Sequence, residues 1–276
     1  ADAFVNDAFA CAHRNTPSIV GFTNALPCIA GELMNHELSK LGQALENPKR
    51  PCIAVLGGIK VDDSVIVADN MLRGDICDHI WVTGGVANLF LYLSGIDLGE
   101  VNITFLKNEL KDNWDSTIAT ASKLLVDFPE CIIMPSDVAL NLEGSRADYS
   151  LEQLPIEAPI FDLGITSIRA LSKAIKSAGT IILNGPAGVF EMSDFALGTV
   201  EMLNACAESE GYTVMGGGHT ATLVNQRGLI DKMGHVSTGG GASLELLAGR
   251  KLPGLSSLEE SAKQFRFSIS KPLDHQ

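Results

Sequence analysis

Residues Met215–Gly249 read MGGGHTATLVNQRGLIDKMGHVSTGGGASLELLAG, and this stretch decides the fold. Two triple-glycine turns, Gly216-Gly217-Gly218 and Gly239-Gly240-Gly241, each follow a β-prone run and lead into a helix-like apolar pattern. The runs are Gly211-Tyr212-Thr213-Val214-Met215 and His235-Val236-Ser237-Thr238. Both units therefore read strand, bare-backbone turn, helix. Without Cβ atoms such a turn lets backbone N–H groups approach an anion closely, and the following helix points the positive end of its dipole at the same place. The bland alternative is that glycines only serve tight strand-to-helix turns; two in close succession favour a phosphate-binding function.

Working outward, the same grammar recurs. Toward the amino terminus, Thr180–Leu183 is a strand closed by the rigid turn Asn184-Gly185-Pro186-Ala187-Gly188-Val189-Phe190-Glu191 before a helix over 195–208. Ile160–Gly164 is a strand end followed by a helix over 166–177, and the mixed segment 138–158 predicts an excursion or hairpin. Cys131–Met134 follows a helix over 115–128, Ile80–Thr83 runs through Gly84-Gly85 into a helix over 86–93, and Cys52–Leu56 runs through Gly57-Gly58-Ile59-Lys60 into a helix over 64–72. Before these, apolar spacing predicts a long helix within 29–46, and Asp2–Val5 is a short β-prone run leading to the polar Cys11-Ala12-His13-Arg14 loop. After the second glycine turn, 251–276 reads as a tail with a Leu-Pro-Gly break. The near-continuously apolar strands predict a parallel sheet covered on both faces, an α/β three-layer doubly wound fold with its ligand crevice at the strands' carboxyl ends.

Composition narrows the partners. The chain has 276 residues, 46% hydrophobic, with 27 glycines and a net charge of −13, which suits a packed α/β core and argues against nucleic acid or an anionic membrane as the main partner. Six cysteines stand singly, without CxxC spacing, as expected of reduced thiols in a cytoplasmic protein. No apolar run is long enough to span a bilayer. The opening ADAFVNDAFA reads as the middle of a strand-and-turn unit, so a preceding segment is expected.

The turns point to a chemistry. Lys60 adds an ammonium beside the Gly57-Gly58 turn, suited to a phosphate oxygen, although a lone lysine at a helix start is more often a solvated charge. Asn184 and Glu191 bracket a turn of fixed shape that suits a ribose or a base edge, though Glu191 also fits a dipole-favoured helix start. Thr220 either bonds a phosphate or caps its helix. No G-x-x-x-x-G-K-[ST] is present and no G-x-G-x-x-G follows the first strand, so a Walker P-loop is excluded and a dinucleotide fold is poorly supported. A nucleotide held by backbone amides of several turns remains, a design matched to phosphoryl transfer, where positioning and charge stabilisation supply most of the catalysis.

With these residues in view, the chain resembles phosphoglycerate kinase, with features of its archaeal branch. The matching segments are Val5–Phe9 with Ala12-His13-Arg14, Leu56–Val61, Gly84-Gly85, Asn184–Glu191, Gly216–Thr220 and His235–Glu245. The resemblance implies a two-domain kinase moving a phosphoryl group between 1,3-bisphosphoglycerate and ADP with Mg²⁺. It implies a remnant of the glycerate-binding domain at 1–29, an interdomain helix and linker at 30–50, a nucleotide-binding domain at 51–255, and a tail at 256–276 returning toward the amino-terminal domain. A missing amino-terminal domain is expected to pack on residues 1–46 and the tail. His13 and Arg14 would face the acidic phosphoglycerate, Lys60 would follow the transferring phosphoryl, and the N–H groups of Gly217 and Gly218 would stabilise its charge. Gly57, Gly58, Ile59, Lys60, Gly84, Gly85, Gly164, Asn184, Gly185, Pro186, Val189, Glu191, Gly216, Gly217, Gly218 and Thr220 would line the adenine nucleotide. Two departures from the family pattern concern charge: Ser64 stands where a second lysine is expected, and His219 where an Asp helps hold the metal. Imidazole is a poor ligand for Mg²⁺, so the metal ligands stay unassigned. A nucleotide-binding module without turnover and a nicotinamide-dependent oxidoreductase are the competing readings.

Overall fold

The computed structural model describes residues 1–265, except the side chain of His219. Strands β1 (Phe4–Asn6) and β2 (Cys28–Ala30) form a small parallel pair, with the short helix α1 (Pro17–Val20) between them. Helix α2 (Glu32–Glu46) then leads to a six-stranded parallel sheet. Its strands are β3 (Cys52–Leu56), β4 (His79–Val82), β5 (Ile132–Ile133), β9 (Thr180–Asn184), β10 (Tyr212–Gly216) and β11 (His235–Val236), in the order β11-β10-β9-β3-β4-β5. Between β5 and β9 the chain makes an antiparallel sheet from β6 (Asp137–Leu142), β7 (Ser145–Ser150) and β8 (Ile160–Leu163), in the order β7-β6-β8.

The apolar strands explain the layers. All five residues of β3 are buried. Cys52, Ala54 and Leu56 join one apolar cluster while Ile53 and Val55 join another on the opposite face, the alternation that a sheet covered on both sides requires. The first cluster is completed by α2, α3 (Val61–Arg73), α4 (Gly84–Leu93), α5 (Glu100–Leu110), α6 (Trp114–Asp127) and α10 (Gly241–Leu247). The second is completed by α7 (Ile165–Ser177), α8 (Leu197–Glu208) and α9 (Gly218–Gln226). Helix α3 shows why such segments are helical: Val61, Val65, Ala68 and Leu72 bury one stripe, Asp62 and Asp63 lie in its first turn, and Arg73 lies in its last, each charge matched to the dipole. The doubly wound architecture expected of the sequence is present. From β3 the chain winds outward to β4 and β5, then returns on the other side through β9, β10 and β11, so the winding reverses between β3 and β9.

Three local expectations need correction. The helix expected from Ile29 begins at Glu32, because Cys28–Ala30 pairs with Phe4–Asn6 as a strand and Gly31 stays extended. Helix α5 was not foreseen, since EVNITFLKNEL carries β-branched residues and buries mainly Asn102, Leu106 and Leu110. The Leu-Pro-Gly break in the expected tail is a helix start instead. Pro253 occupies the first turn of α11 (Pro253–Gln264), where a missing N–H costs nothing, and Gly254 donates to the Ala12 carbonyl at 2.8 Å. Helix α11 returns to the amino-terminal segment, where the Cys28 N–H donates to Ser261 Oγ at 2.8 Å. The remainder of the 256–276 segment, residues 266–276, lies outside the described residues.

Candidate functional site

The turns that follow β3, β4 and β9 meet where the winding reverses. The Gly57 N–H donates to the Asn184 carbonyl (2.8 Å), the Gly58 N–H to the Pro186 carbonyl (2.9 Å), and the Gly85 N–H to the Gly58 carbonyl (3.0 Å). A side chain on Gly57 would collide with the Thr83 hydroxyl and the Pro186 carbonyl, and one on Gly185 with the Gly57 carbonyl. Gly185 also holds φ at +88°, a region glycine occupies without strain. These glycines let three turns pack backbone against backbone. That corrects one expectation: the Gly57 and Gly58 N–H groups are committed to neighbouring carbonyls and are not free to cradle a phosphate.

The first triple-glycine turn is arranged differently. No hydrogen bond among the described residues uses the N–H of Gly217 or Gly218, and a side chain at Gly218 would project into open space. Gly217 has φ +94° at the start of α9, so the turn reaches that helix in a conformation reserved for glycine. The hydroxyl of Thr220, in the first turn of α9, is buried and has no partner among the described residues. A buried hydroxyl left unpaired costs about 1–3 kcal/mol, so this group is poised for a ligand or a water. Gly216 and Gly217 abut Asn184, which is 8% exposed at the end of β9, joining this turn to the others.

The second triple-glycine turn is a joint between segments. A side chain on Gly239 would strike the Phe9 ring, which is fully buried. Gly241 lies against the His13 imidazole, whose Nδ1 is buried and unpartnered. Arg14, next to it, is exposed. Lys60 and Ile59 are also exposed at the start of α3, and among the described residues Lys60 makes no ion pair.

Gly164, Val189 and Glu191 form a separate flank. Gly164 closes β8, with its N–H donating to the Asp137 carbonyl at 3.0 Å, and Asp137 accepts from Thr166 N–H (2.9 Å), Ser167 N–H (2.7 Å) and Ser167 Oγ (2.5 Å). Burial would raise the Asp137 pKa, but the bonds from Ser167 and Thr166 hold it below the usual carboxylate range. The Val189 N–H donates to Phe161 O at 2.7 Å, which ties the Asn184–Glu191 turn to β8; Glu191 itself is exposed.

One group escaped the sequence reading. Glu37, on the buried face of α2 with Met34, Leu41 and Ala44, is fully buried and accepts four bonds. His235 Nε2 lies 2.7 Å from it, Ser237 Oγ 2.8 Å, and Thr238 contributes its N–H at 2.8 Å and its hydroxyl at 2.7 Å. A carboxylate only accepts, so Nε2 carries the proton in this arrangement. Burial alone would raise its pKa, but the bonds from His235, Thr238 and Ser237 prevail and hold it at about 2. The only signal in the sequence was a carboxylate at a core position of an amphipathic helix.

No group of three or more His, Cys, Asp or Glu side chains among the described residues is arranged to hold a metal ion. No helix of the described residues is long and apolar enough to cross a membrane.

Comparison with known proteins adds an independent line. The phosphoglycerate kinase family signature matches residues 1–250. The chain is 46% identical to the phosphoglycerate kinase of Methanothermobacter thermautotrophicus over 260 residues, covering 94% of this chain and 62% of that protein. It is 44% identical to phosphoglycerate kinase 2 of Methanosarcina acetivorans, covering 99% of this chain and 64% of the relative. Among solved structures, phosphoglycerate kinase from Pyrococcus horikoshii OT3 superposes with a TM-score of 0.87 at 39% identity, over 96% of this chain and 65% of that one. The enzyme from Coxiella burnetii superposes with a TM-score of 0.79 at 34% identity, over 95% of this chain and 66% of that one. The chain thus spans somewhat over three fifths of the length of the curated relatives it matches.

Proposed function

The chain belongs to the phosphoglycerate kinase family, and on that premise we propose that it is the nucleotide-holding part of a phosphotransferase. The reaction moves a phosphoryl group from the carboxyl of 1,3-bisphosphoglycerate to the terminal phosphate of ADP, giving 3-phosphoglycerate and ATP. The observation that carries this reading is the turn after β10: two uncommitted N–H groups at Gly217 and Gly218 and an unpaired buried Thr220 hydroxyl, beside the reversal of the sheet.

In this reading the phosphates lie over Gly216–Gly218, where the N–H groups of Gly217 and Gly218 meet the charge that develops on the transferring phosphoryl. Lys60, exposed at the start of α3, neutralises the same oxygens. The base end lies toward Gly164, Val189 and Glu191. Gly57, Gly58, Gly84, Gly85, Gly185 and Pro186 make the floor by packing on one another. Mg²⁺ would arrive with the nucleotide and supply positive charge at its phosphates, with no residue of this chain assigned as its ligand. His13 and Arg14 face the acidic glycerate. Residues 1–29 belong with the glycerate-binding domain, 30–50 link it, 51–255 hold the nucleotide, and further chain packs on residues 1–46. The enzyme would work in the cytoplasm, where its free thiols stay reduced.

Calorimetric titration with ADP, ATP and NAD in Mg²⁺, with a coupled kinase assay, tests this. Selective adenine-nucleotide binding supports it; no binding, or preference for NAD, overturns it. Because the chain spans only part of its relatives, binding without turnover by these 276 residues is the second reading, and the same assay on a chain extended to the relatives' full length separates the two.

A further inference from the structure

The hairpin β6–β7 projects from the parallel sheet and has no part in the phosphate-facing turns. Its one deeply placed cation is Arg146, whose side chain is 14% exposed. Arg146 Nη1 donates to Asp162 Oδ2 (2.8 Å) and to the Asp194 carbonyl (3.3 Å), and Nη2 donates to the Leu163 carbonyl (2.7 Å) and to Asp148 Oδ1 (2.9 Å). Asp162 is completely buried at its side chain and also accepts the Gly198 N–H at 2.8 Å, at the start of α8. Gly188 and Gly198 pack so closely on the Asp162 carboxyl that neither has room for a side chain.

These contacts converge on one place. Leu163 immediately precedes Gly164, Gly188 immediately precedes Val189, and Asp194 lies three residues past Glu191. Arg146 and its carboxylate therefore fix both walls of the flank formed by Gly164, Val189 and Glu191, from behind. Burial pushes the Asp162 pKa up, against the bonds from Arg146 and Gly198, so without its guanidinium this carboxylate would be an uncompensated buried charge and the walls would rearrange. Among the described residues, the phosphate-facing turn at Gly216–Gly218 shares no hydrogen bond with this network.

We propose that Arg146 is a positioning residue that sets the base end of the nucleotide site, acting through Asp162 and the Leu163 carbonyl, and so governs base affinity while leaving phosphate affinity alone. This rests on the nucleotide reading given above. A guanidinium suits the task because its planar fork reaches two carboxylates and two carbonyls at once, whereas an ammonium offers donors from a single point.

The test is calorimetric titration of the 276-residue chain with ADP and, separately, with pyrophosphate, which carries the phosphates without a base. For Arg146→Met, ADP affinity is expected to fall about tenfold or more, about 1.4 kcal/mol, with pyrophosphate affinity unchanged. Arg146→Lys, which keeps a charge for Asp162, is expected to recover part of the ADP affinity. In a turnover-competent extended chain the same variants raise KM for ADP more than they lower kcat. Equal weakening of both ligands, or unchanged ADP affinity, overturns the proposal. If Arg146→Met lacks a cooperative unfolding transition, the Lys variant decides: a selective loss of ADP affinity upholds the assignment, and an equal loss or none overturns it. Unmodified chain that binds pyrophosphate but not ADP refutes the functional reading, and this inference with it.

Discussion

Glu37→Gln perturbs a buried carboxylate that ties helix α2 to the segment entering the second glycine turn. Four donors from His235, Ser237 and Thr238 face its two oxygens, and glutamine would turn an NH₂ group toward two of them. The folded pKa of about 2 against an ordinary value of 4.5 corresponds to about 3 kcal/mol of stability, at 1.36 kcal/mol per unit. Because the folded value is depressed, this contribution is fully present above pH 4.5 and is lost as pH falls toward 2. Linkage places the loss at roughly 1 kcal/mol by about pH 3.5. Urea denaturation of both proteins at neutral pH and at about pH 3.5 measures it. The variant is expected to be less stable by about 3 kcal/mol near neutrality, with the gap narrowing by roughly 1 kcal/mol in acid. A gap that does not change with pH, or one below about 1 kcal/mol at neutrality, refutes the reasoning.

Gly185→Ala should cost about 2–4 kcal/mol in urea denaturation, since it adds a clash with the Gly57 carbonyl to strain at φ +88°; a loss below about 0.5 kcal/mol would show that the turns repack freely. Lys60→Ala in a turnover-competent extended chain should lower kcat about 100-fold while changing ADP affinity only a few-fold, because its charge acts on the group in transit; equal losses of both would remove that role. The Cys52 and Cys206 thiols, pushed up to about 12 by burial, should resist a disulfide exchange reagent near neutral pH until the chain is unfolded, and fast native-state labelling of either by mass spectrometry would contradict the packing.

The parallel sheet was readable because β3 and the middle of β9, Ile181–Leu183, run apolar without alternation, and only a strand covered on both faces tolerates that. The turns were readable as glycine, but their division of labour was not. Whether the Gly57 N–H meets a phosphate or the Asn184 carbonyl depends on which strands are neighbours, and β3 and β9 lie far apart in sequence. Glu37 was hidden for the same reason: its partner His235 is 198 residues away. Helix α5 was hidden for another, since Asn102 occupies its buried face, bonding Leu98 O, Ala158 O and the Ile160 N–H, and breaks the apolar stripe on which helix recognition depends.

The two triple-glycine turns look alike in sequence and do different work in the fold. Among the described residues, Gly217 and Gly218 leave their N–H groups uncommitted at the head of a nine-residue helix, the Thr220 hydroxyl behind them is unpaired, and the space beside Gly218 is open. Gly239–Gly241 heads a seven-residue helix, and its glycines admit neighbours: the Phe9 ring at Gly239 and the His13 imidazole at Gly241. The Ser237-Thr238 segment that enters it is held by Glu37 from α2, so this turn meets both the amino-terminal segment and the helix that follows it. A change in how α2 or residues 9–13 sit must therefore reach this turn first. Ser243, on α10, lies beside Gly216, which places the second turn in contact with the first. The amino-terminal segment and the first turn are thereby joined by a continuous chain of contacts through Gly239–Gly241 and α10.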